Sequence, residues 1–457
     1  SNNPDLIIIQ THIGFQHYIK EFIKNIKEIN NYCAANSDAH RPAILCVGLF
    51  VTYFKEVGLE FLGAKLGIVG EPEESVVKFV EIYNEGDVFA SWDRIDGLLL
   101  YSPTTNTYRH VSRNHYATLD NINDIPMQNW KLLNPLAYNK LMKGATLPLK
   151  GKNVAALLVT RGCPYKCSFC FCEAPLYNRK MRYRTPESVV EEIQYLKDEF
   201  NIDEIVFTDD TLNFNVIWFN RLLELMIFRK LNISWRSPKG LRADLLTDDI
   251  VKKMAQSGCY YIGIGIESGN QEVIKRMNKH LDLKTIPKAI ELLHKYGIKV
   301  SGFFMLGSPW ETMEEIKDSI EFSLKLKLDR IQASVFVPYP GSDDFEEIFK
   351  TFCFREEGLK PDEPIFKNQD DWVEAKYPDS AEAKQIYRKR NIKNYLRDET
   401  IPPYTNIPLK ELYSIQFRWM VRFYTQPRIL LSMLWDFKFS QITAIWRHQW
   451  IQIWRRK

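Results

Sequence analysis

A chain of 457 residues that is 45% hydrophobic and 13% aromatic has material for two or three domains with sizeable cores. With 61 basic against 57 acidic side chains, a formal net charge of +4, no bulk field favours a nucleic-acid partner. Eight cysteines, three of them in one loop, are too few and too clustered for a secreted disulfide framework, and no apolar run reaches the roughly 18–20 residues that span a bilayer. No signal-peptide pattern opens the chain, so a reducing cytoplasm is the expected compartment.

In chain order, residues 1–100 alternate between strand and helix patterns. Asp5–Gln10, Ala43–Leu49 and Leu66–Val69 read as strands; Phe15–Asn30, Thr52–Leu62 and Glu73–Tyr83 read as helices. This predicts a partial Rossmann-like domain. Residues 101–150, with many Asn, Thr, Pro and Tyr, read as a connecting segment with little regular structure. Strands are then expected at Val154–Thr160, Glu204–Thr208, Ile233–Arg236, Tyr260–Ile266, Lys299–Leu306 and Arg330–Val337. Helices are expected near Pro186–Phe200, Asn215–Arg229, Asp248–Ser257, Ile286–Tyr296 and Met313–Leu326, the first opened by a Thr185 N-cap. Six such units over residues 151–345 predict an α/β fold with a parallel sheet, a partial (βα)6 TIM-like barrel. Sites in such barrels lie at the C-terminal ends of strands. Residues 346–457 form a third, mainly helical region, in which Phe345–Thr351 reads as helical, 355–405 as charged and proline-containing, and 409–457 as helical, basic and aromatic.

Directly after the strand at Val154 lies Leu158-Val-Thr-Arg-Gly-Cys-Pro-Tyr-Lys-Cys-Ser-Phe-Cys170, a C-x3-C-x2-C loop. A cubane iron–sulfur cluster takes four thiolates, and this loop offers Cys163, Cys167 and Cys170, which leaves one iron open to a small molecule. The other readings are a zinc site, which wants a fourth ligand and a second C-x2-C that this chain lacks, and unrelated thiols. Cys33, Cys46, Cys172, Cys259 and Cys353 are scattered.

The loop resembles the signature of the radical S-adenosylmethionine (SAM) enzymes. The resemblance implies that Cys163, Cys167 and Cys170 ligate a [4Fe–4S] cluster, that SAM chelates the fourth iron, and that Phe169 lies against the adenine. An external electron donor of flavodoxin or ferredoxin type would feed the cluster, and reductive cleavage of SAM would give a 5′-deoxyadenosyl radical for an organic substrate. Cys172, one residue too far along, is a bystander. In Phe207-Thr-Asp-Asp-Thr211 the family often has a Gly-Gly-Glu-like element for the SAM amine; Asp209 or Asp210 would serve, unless they are turn or capping residues. Arg242 is implied for the SAM carboxylate in preference to Arg236, and Glu267 and Ser268, after Gly263-Ile-Gly265, for the ribose or methionyl part. Gly307-Ser-Pro-Trp310-Glu311-Thr312 resembles a Gly-x-Pro-Gly-Glu-Thr turn with Trp310 in place of glycine; it either lines the substrate pocket or covers the rim.

Two features resemble the cobalamin-binding-domain branch of that family, which includes class B methyltransferases and the anaerobic Mg-protoporphyrin cyclase. They are Tyr339-Pro-Gly after the sixth strand and Leu66-Gly-Ile-Val-Gly-Glu71 with its following helix. In that branch the domain begins with a further strand and an Asp-x-His-x-x-Gly loop. Here Asp38-Ala39-His40 lacks the glycine and reads as ordinary loop, so either the front of the domain has been lost or the chain as given lacks it. Cobalamin is therefore the open cofactor. Residues 412–457 carry eight basic side chains against Asp436 and five of eleven tryptophans. They read either as a membrane-surface helix or as a helix packed over the barrel mouth. The function implied is radical SAM chemistry, foremost cobalamin-dependent C-methylation; the alternatives are radical cyclisation, oxidation or carbon–carbon joining without methyl transfer on a hydrophobic, lipid or tetrapyrrole substrate, and a noncatalytic iron–sulfur scaffold.

Overall fold

The computed structural model describes residues 5–11, 23–26, 28–29, 42–84, 91–111, 114–143, 149–171, 179–347, 405 and 407–436. They divide between two compact units: residues 1–125, 164–181 and 337–404 belong to the first, and 126–163, 182–336 and 405–457 to the second.

In the first unit a five-stranded sheet runs β1 (Leu6–Gln10), β2 (Ala43–Val47), β3 (Leu66–Ile68), β4 (Leu98–Ser102) and β5 (Thr107–His110), in that order. The first three strands are parallel; helix Leu49–Leu62 returns the chain between β2 and β3, and helix Glu73–Asn84 follows β3. The last two are antiparallel. Leu45, Val47, Ile68, Phe79, Trp92 and Leu98 form the core. The expectation of little regular structure over 101–150 is thus corrected. Tyr101 pairs with Tyr108 across the β4–β5 ladder, and Asn106 takes the left-handed backbone the tight connection needs (φ 54). Helix Pro135–Lys143 follows in the second unit, where the Asn139 side chain accepts from the Val154 N–H at 3.1 Å. Strands of five and four residues and a nine-residue helix set among Asn, Thr and Pro give too short a periodic signal to stand out. The expected helix Phe15–Asn30 lies mostly outside the described residues, although 23–26 and 28–29 are helical.

The second unit begins with β6 (Val154–Leu157), followed by a short antiparallel pair, β7 (Thr160–Arg161) with β8 (Arg182–Tyr183). β9 (Glu204–Phe207), β10 (Ser234–Leu241), β11 (Cys259–Glu267), β12 (Lys299–Leu306) and β13 (Arg330–Val335) complete a six-stranded sheet in the order β13-β12-β11-β10-β9-β6. Every pairing in it is parallel. Helices Pro186–Phe200, Val216–Phe228, Asp248–Gln256, Thr285–Lys295 and Met313–Lys325 link successive strands. Their starts are written in sequence: the side chains of Thr185, Asn215, Thr247 and Thr312 each accept a first-turn N–H, and Thr312 with Glu315 completes a capping box. One sheet face, with Leu157, Ile205, Trp235, Ile262, Ile264, Val300, Phe304 and Ile331, joins the helices in a single core. β10 outlasts its expected end at Arg236. Ser-Pro-Lys-Gly reads as a turn, but the strand passes through it as an irregularity and pairs again at Leu241 with Ile264.

The C-terminal helix Leu409–Tyr424 is neither over a barrel mouth nor presenting its apolar stripe to a membrane. Leu412, Ile415, Trp419 and Phe423 are buried. Its polar side chains meet backbone groups of β13: Gln416 Nε2 donates to Ala333 O at 2.6 Å, and Tyr424 Oη donates to Ile331 O at 2.8 Å. Trp419 lies edge-on to Phe304, with ring centroids 5.2 Å apart, and donates its indole N–H to Ser323 Oγ at 2.8 Å. A second helix, Pro427–Asp436, follows. Among the described residues no helix is long and apolar enough to cross a membrane. The tail beyond residue 436 and most of 346–408 lie outside the described residues.

Trp419→Ala should therefore lower stability by about 3–5 kcal/mol in urea unfolding. Leu431→Ala, at a side chain 68% exposed, should change it by no more than about 0.5 kcal/mol.

Candidate functional site

Because β6 and β9–β13 are all parallel, their C-terminal ends share one edge of the second unit's sheet. Cys163 follows β6 there, after Gly162 in a left-handed turn (φ 96). The β7–β8 ladder, Thr160 opposite Tyr183 and Arg161 opposite Arg182, closes the base of the cysteine loop. Cys163 Sγ lies 3.4 Å from Thr211 Oγ1, beyond the end of β9.

Asp209 holds this arrangement together. It is completely buried, and its Oδ1 accepts from Val159 N–H (2.9 Å), Thr160 N–H (2.6 Å) and Thr160 Oγ1 (2.8 Å). Its Oδ2 is buried without a hydrogen bond, and burial pushes the carboxyl up to about 6 despite the three donors. Asp209 thus ties the end of β9 to the base of the loop, whereas Asp210 beside it is exposed, 3.7 Å from Lys239 Nζ. Three residues beyond Asp210, Asn213 clamps Arg242: Nδ2 donates to Arg242 O, and Oδ1 accepts from Arg242 N–H, both at 2.9 Å. The guanidinium forks onto Asp244 with two bonds of 2.9 Å and also donates to Lys279 O (3.0 Å) and His280 O (2.6 Å).

At the end of β11, Glu267 takes a left-handed backbone (φ 66) and pairs with Lys279 Nζ at 2.9 Å. Ser268 turns inward: its hydroxyl is 2.9 Å from Ser319 Oγ and accepts from Asn270 N–H at 3.1 Å. After β12, Glu311 is buried and its Oε2 accepts from Gly307 N–H (2.6 Å) and Ser308 N–H (3.1 Å). Its Oε1 is buried without a hydrogen bond, and burial lifts the carboxyl to about 7. Trp310 has φ 65, the conformation that explains a glycine in the turn it resembles.

Cys167, Phe169, Cys170 and Tyr339 fall in the first unit. There Cys170 N–H donates to Cys167 O at 3.1 Å, a tight turn between the two cysteines. Ser168 O accepts from Asp344 N–H at 2.9 Å, and the Ser168 side chain hydrogen-bonds the Asp344 carboxylate, which burial raises to about 6. Phe171 packs on Tyr339 with ring centroids 4.8 Å apart, and Arg179 Nη1 donates to Tyr165 O at 2.7 Å. Behind Asp344, Phe345 meets Tyr53 edge-on, and the Tyr53 hydroxyl bonds Glu346. Cys172 lies outside the described residues.

Cys163, Cys167 and Cys170 are thiols of intermediate burial outside any disulfide. Among the described residues no three His, Cys, Asp or Glu side chains are already gathered as a metal site. The donor set nevertheless fits an iron–sulfur cluster: three thiols within eight residues of one loop, accessible, on a segment anchored at its base and along its length. The anchors Asn213, Lys279 and Asp344 escaped the sequence reading. Asn213 had a weak signal, the polar run Asp209-Asp-Thr-Leu-Asn213 after a strand; Lys279 and Asp344 had none.

Residues 157–323 match the family model described as the radical SAM superfamily, and this segment is a radical SAM domain. Among curated relatives, an uncharacterized methyltransferase of Pyrococcus horikoshii is 27% identical over 291 residues, 62% of this chain and 58% of its own. An anaerobic magnesium-protoporphyrin IX monomethyl ester cyclase of Rubrivivax gelatinosus is 24% identical over 301 residues, 64% of this chain and 52% of its own. The chain thus spans between half and three fifths of the length of these relatives. In fold it resembles the radical SAM methyltransferase TsrM of Kitasatospora setae, solved with cobalamin and a [4Fe–4S] cluster bound. The TM-score is 0.61 at 16% identity, covering 79% of this chain and 69% of that one.

Two outcomes follow. A left-handed residue favours glycine over alanine by about 1 kcal/mol, so Trp310→Gly should unfold at higher urea than Trp310→Ala; the reverse order would refute backbone strain at this turn. The Glu311 carboxyl is raised from 4.5 to about 7, so the folded state binds a proton the unfolded chain has lost. Its contribution to stability is complete below pH 4.5 and is lost as pH rises through about 7. Glu311→Gln should therefore gain on the parent chain across that window in urea titrations at successive pH values.

Proposed function

We propose that this chain is a radical SAM enzyme whose Cys163, Cys167 and Cys170 hold a [4Fe–4S] cluster, and that it methylates an unactivated carbon with the help of cobalamin. The observation that carries the reading is the cysteine loop itself, rooted after the first strand of a six-stranded parallel sheet inside a radical SAM domain. Bound there, the cluster would supply the electron for reductive cleavage of SAM, and cobalamin would supply a transferable methyl group.

The chain's own residues have separable tasks in this reading. The six βα units make a partial barrel, and the three parallel strands of the first unit make part of a Rossmann-like, cobalamin-type domain. Asp209 and Ser268 hold the strand ends. Asp210 and Glu267 are the carboxylates that accept from the SAM ammonium and ribose. Arg242 carries the fork for the SAM carboxylate, exchanging Asp244 for it; bidentate geometry is suited to either partner. Phe169 covers the adenine, and Tyr339, against Phe171, closes the cysteine loop. An external flavodoxin- or ferredoxin-type protein delivers the electron.

A second reading, radical chemistry without methyl transfer, draws on the similarity to the magnesium-protoporphyrin cyclase. A membrane-associated scaffold draws no support from helix Leu409–Tyr424, whose Leu412, Ile415, Trp419 and Phe423 are buried.

After reconstitution with iron and sulfide under reductant, the protein should form 5′-deoxyadenosine from SAM. Alanine at Cys163, Cys167 or Cys170 should abolish it, and alanine at Cys172 should not; equal loss at Cys172 would sink the ligand assignment. Hydroxocobalamin should bind the natural protein in an absorption titration, and absence of binding leaves the second reading.

A further inference from the structure

The sheet face turned away from the helices carries a charged cluster that the radical chemistry does not use. β10 breaks register between Trp235 and Arg236. Trp235 joins the helix-side core and donates to Ser257 Oγ at 3.0 Å. Arg236 takes the opposite face, in register with Tyr261 of β11. It is 4% exposed, and neither its Nε nor its Nη1 makes a hydrogen bond. Glu204 Oε1 lies 3.3 Å from Nε, as an ion pair without hydrogen-bond geometry. That carboxylate is already engaged: Oε1 accepts from Tyr260 Oη at 2.6 Å and Oε2 from Gly151 N–H at 2.6 Å.

A buried guanidinium with unfilled donors is costly to desolvate, and its one ion pair leaves those donors unmet. Such a group is held for a reason outside the apo structure. Its surroundings point to the reason. Tyr261 is hydrogen-bonded to Ser301 of β12, and although burial pushes its phenol up, Arg330 of β13 and Arg236 both lie close enough to pull it down. Arg330 is itself 9% exposed. Around Arg236, the Glu204 carboxylate takes the Tyr260 phenol, and the Tyr261 phenol takes Ser301 with Arg330 near it, while the Asp329 carboxylate, which also acts on Tyr261, is already held by His294 and Val300 N–H. Ala156 of β6 and Gln332 of β13, expected on the same face by strand alternation, are exposed, so this face is open to solvent at both sheet edges.

We propose that Arg236, with Tyr261, Ser301 and Arg330 beside it, receives an oxyanion, the carboxylate or phosphate of the organic substrate. Arginine is suited to this through charge-assisted hydrogen bonds to planar or tetrahedral oxyanions. The site also sets the length of the ligand. Arg236 stands opposite Tyr261, and β11 continues to Glu267, so the anion sits about 20 Å along the strand from the edge where radical generation is proposed. The substrate is thus an elongated organic acid or phosphate whose reacting carbon is remote from its charge. This length argument rests on the proposed function; the anion site itself does not.

The test is the thermal unfolding midpoint of the full chain, purified anaerobically, titrated with glutarate and, separately, with inorganic phosphate. The wild type should show a saturable rise with one or both, which identifies the oxyanion. Arg236→Met should weaken the apparent affinity at least roughly tenfold, while Lys288→Met, at an exposed lysine, should not. If Arg236→Met does not fold because Glu204 is left without a cation, the pair Arg236→Met with Glu204→Gln removes both charges and should give the same loss. A wild type that responds to neither anion overturns the proposal. So does a response that persists in the folded variant, an adventitious ion only. The titration needs neither cluster nor SAM turnover. An anion response without SAM cleavage would remove the proposed function and leave this site; cleavage without the response would do the opposite.

Discussion

One carboxylate oxygen, Asp209 Oδ1, joins the end of β9 to the base of the cysteine loop through three donors of Val159 and Thr160. Everything at the strand edge depends on that join. It fixes where the chain leaves β6, and so where Cys163 stands against Thr211. Water has no access to the group, so the bonds cannot be traded for solvent ones, and the carboxylate is kept in place at the cost of a raised proton affinity. The same logic recurs after β12, where Glu311 gathers two backbone N–H groups around one oxygen. Both ends are shaped by buried acids that bind backbone.

The architecture was largely legible because it is built from repeated local signals. Apolar strands of four to nine residues alternate with capped helices, and Thr185, Asn215, Thr247 and Thr312 announce their helices in sequence. What the sequence hid has a common physical cause. β5 and helix Pro135–Lys143 are short and polar, and the second half of β10 contains proline and glycine, so each owes its conformation to neighbours distant in the chain. The edge residues divide in the same way. Position after a strand was readable for Asp209, Arg242, Glu267 and Ser268. The direction each side chain takes was not, because it is decided by partners such as Asn213, Lys279 and Ser319 that carry no motif.

That division changes the view of the edge. Asp209 and Ser268 are braces, Arg242 is already forked onto Asp244, and Asp210 is the exposed carboxylate. Strain is also concentrated there: Glu267 and Trp310 both hold left-handed backbones that most residues avoid. Such positions persist only where surrounding structure over-determines them, as the Lys279 pair and the Glu311 turn do.

The C-terminal helix has a consequence for handling the protein. β13 is an edge strand, and Gln416 and Tyr424 satisfy the outward carbonyls of Ala333 and Ile331 that its neighbour β12 leaves over. A chain cut before Leu409 would keep the cysteine loop and the whole parallel sheet, yet present the bare edge of β13 to other molecules. Bare edges of this kind template intermolecular strand addition. Expression of the radical domain alone would then end in aggregates, and solubility rather than chemistry would set the shortest workable fragment.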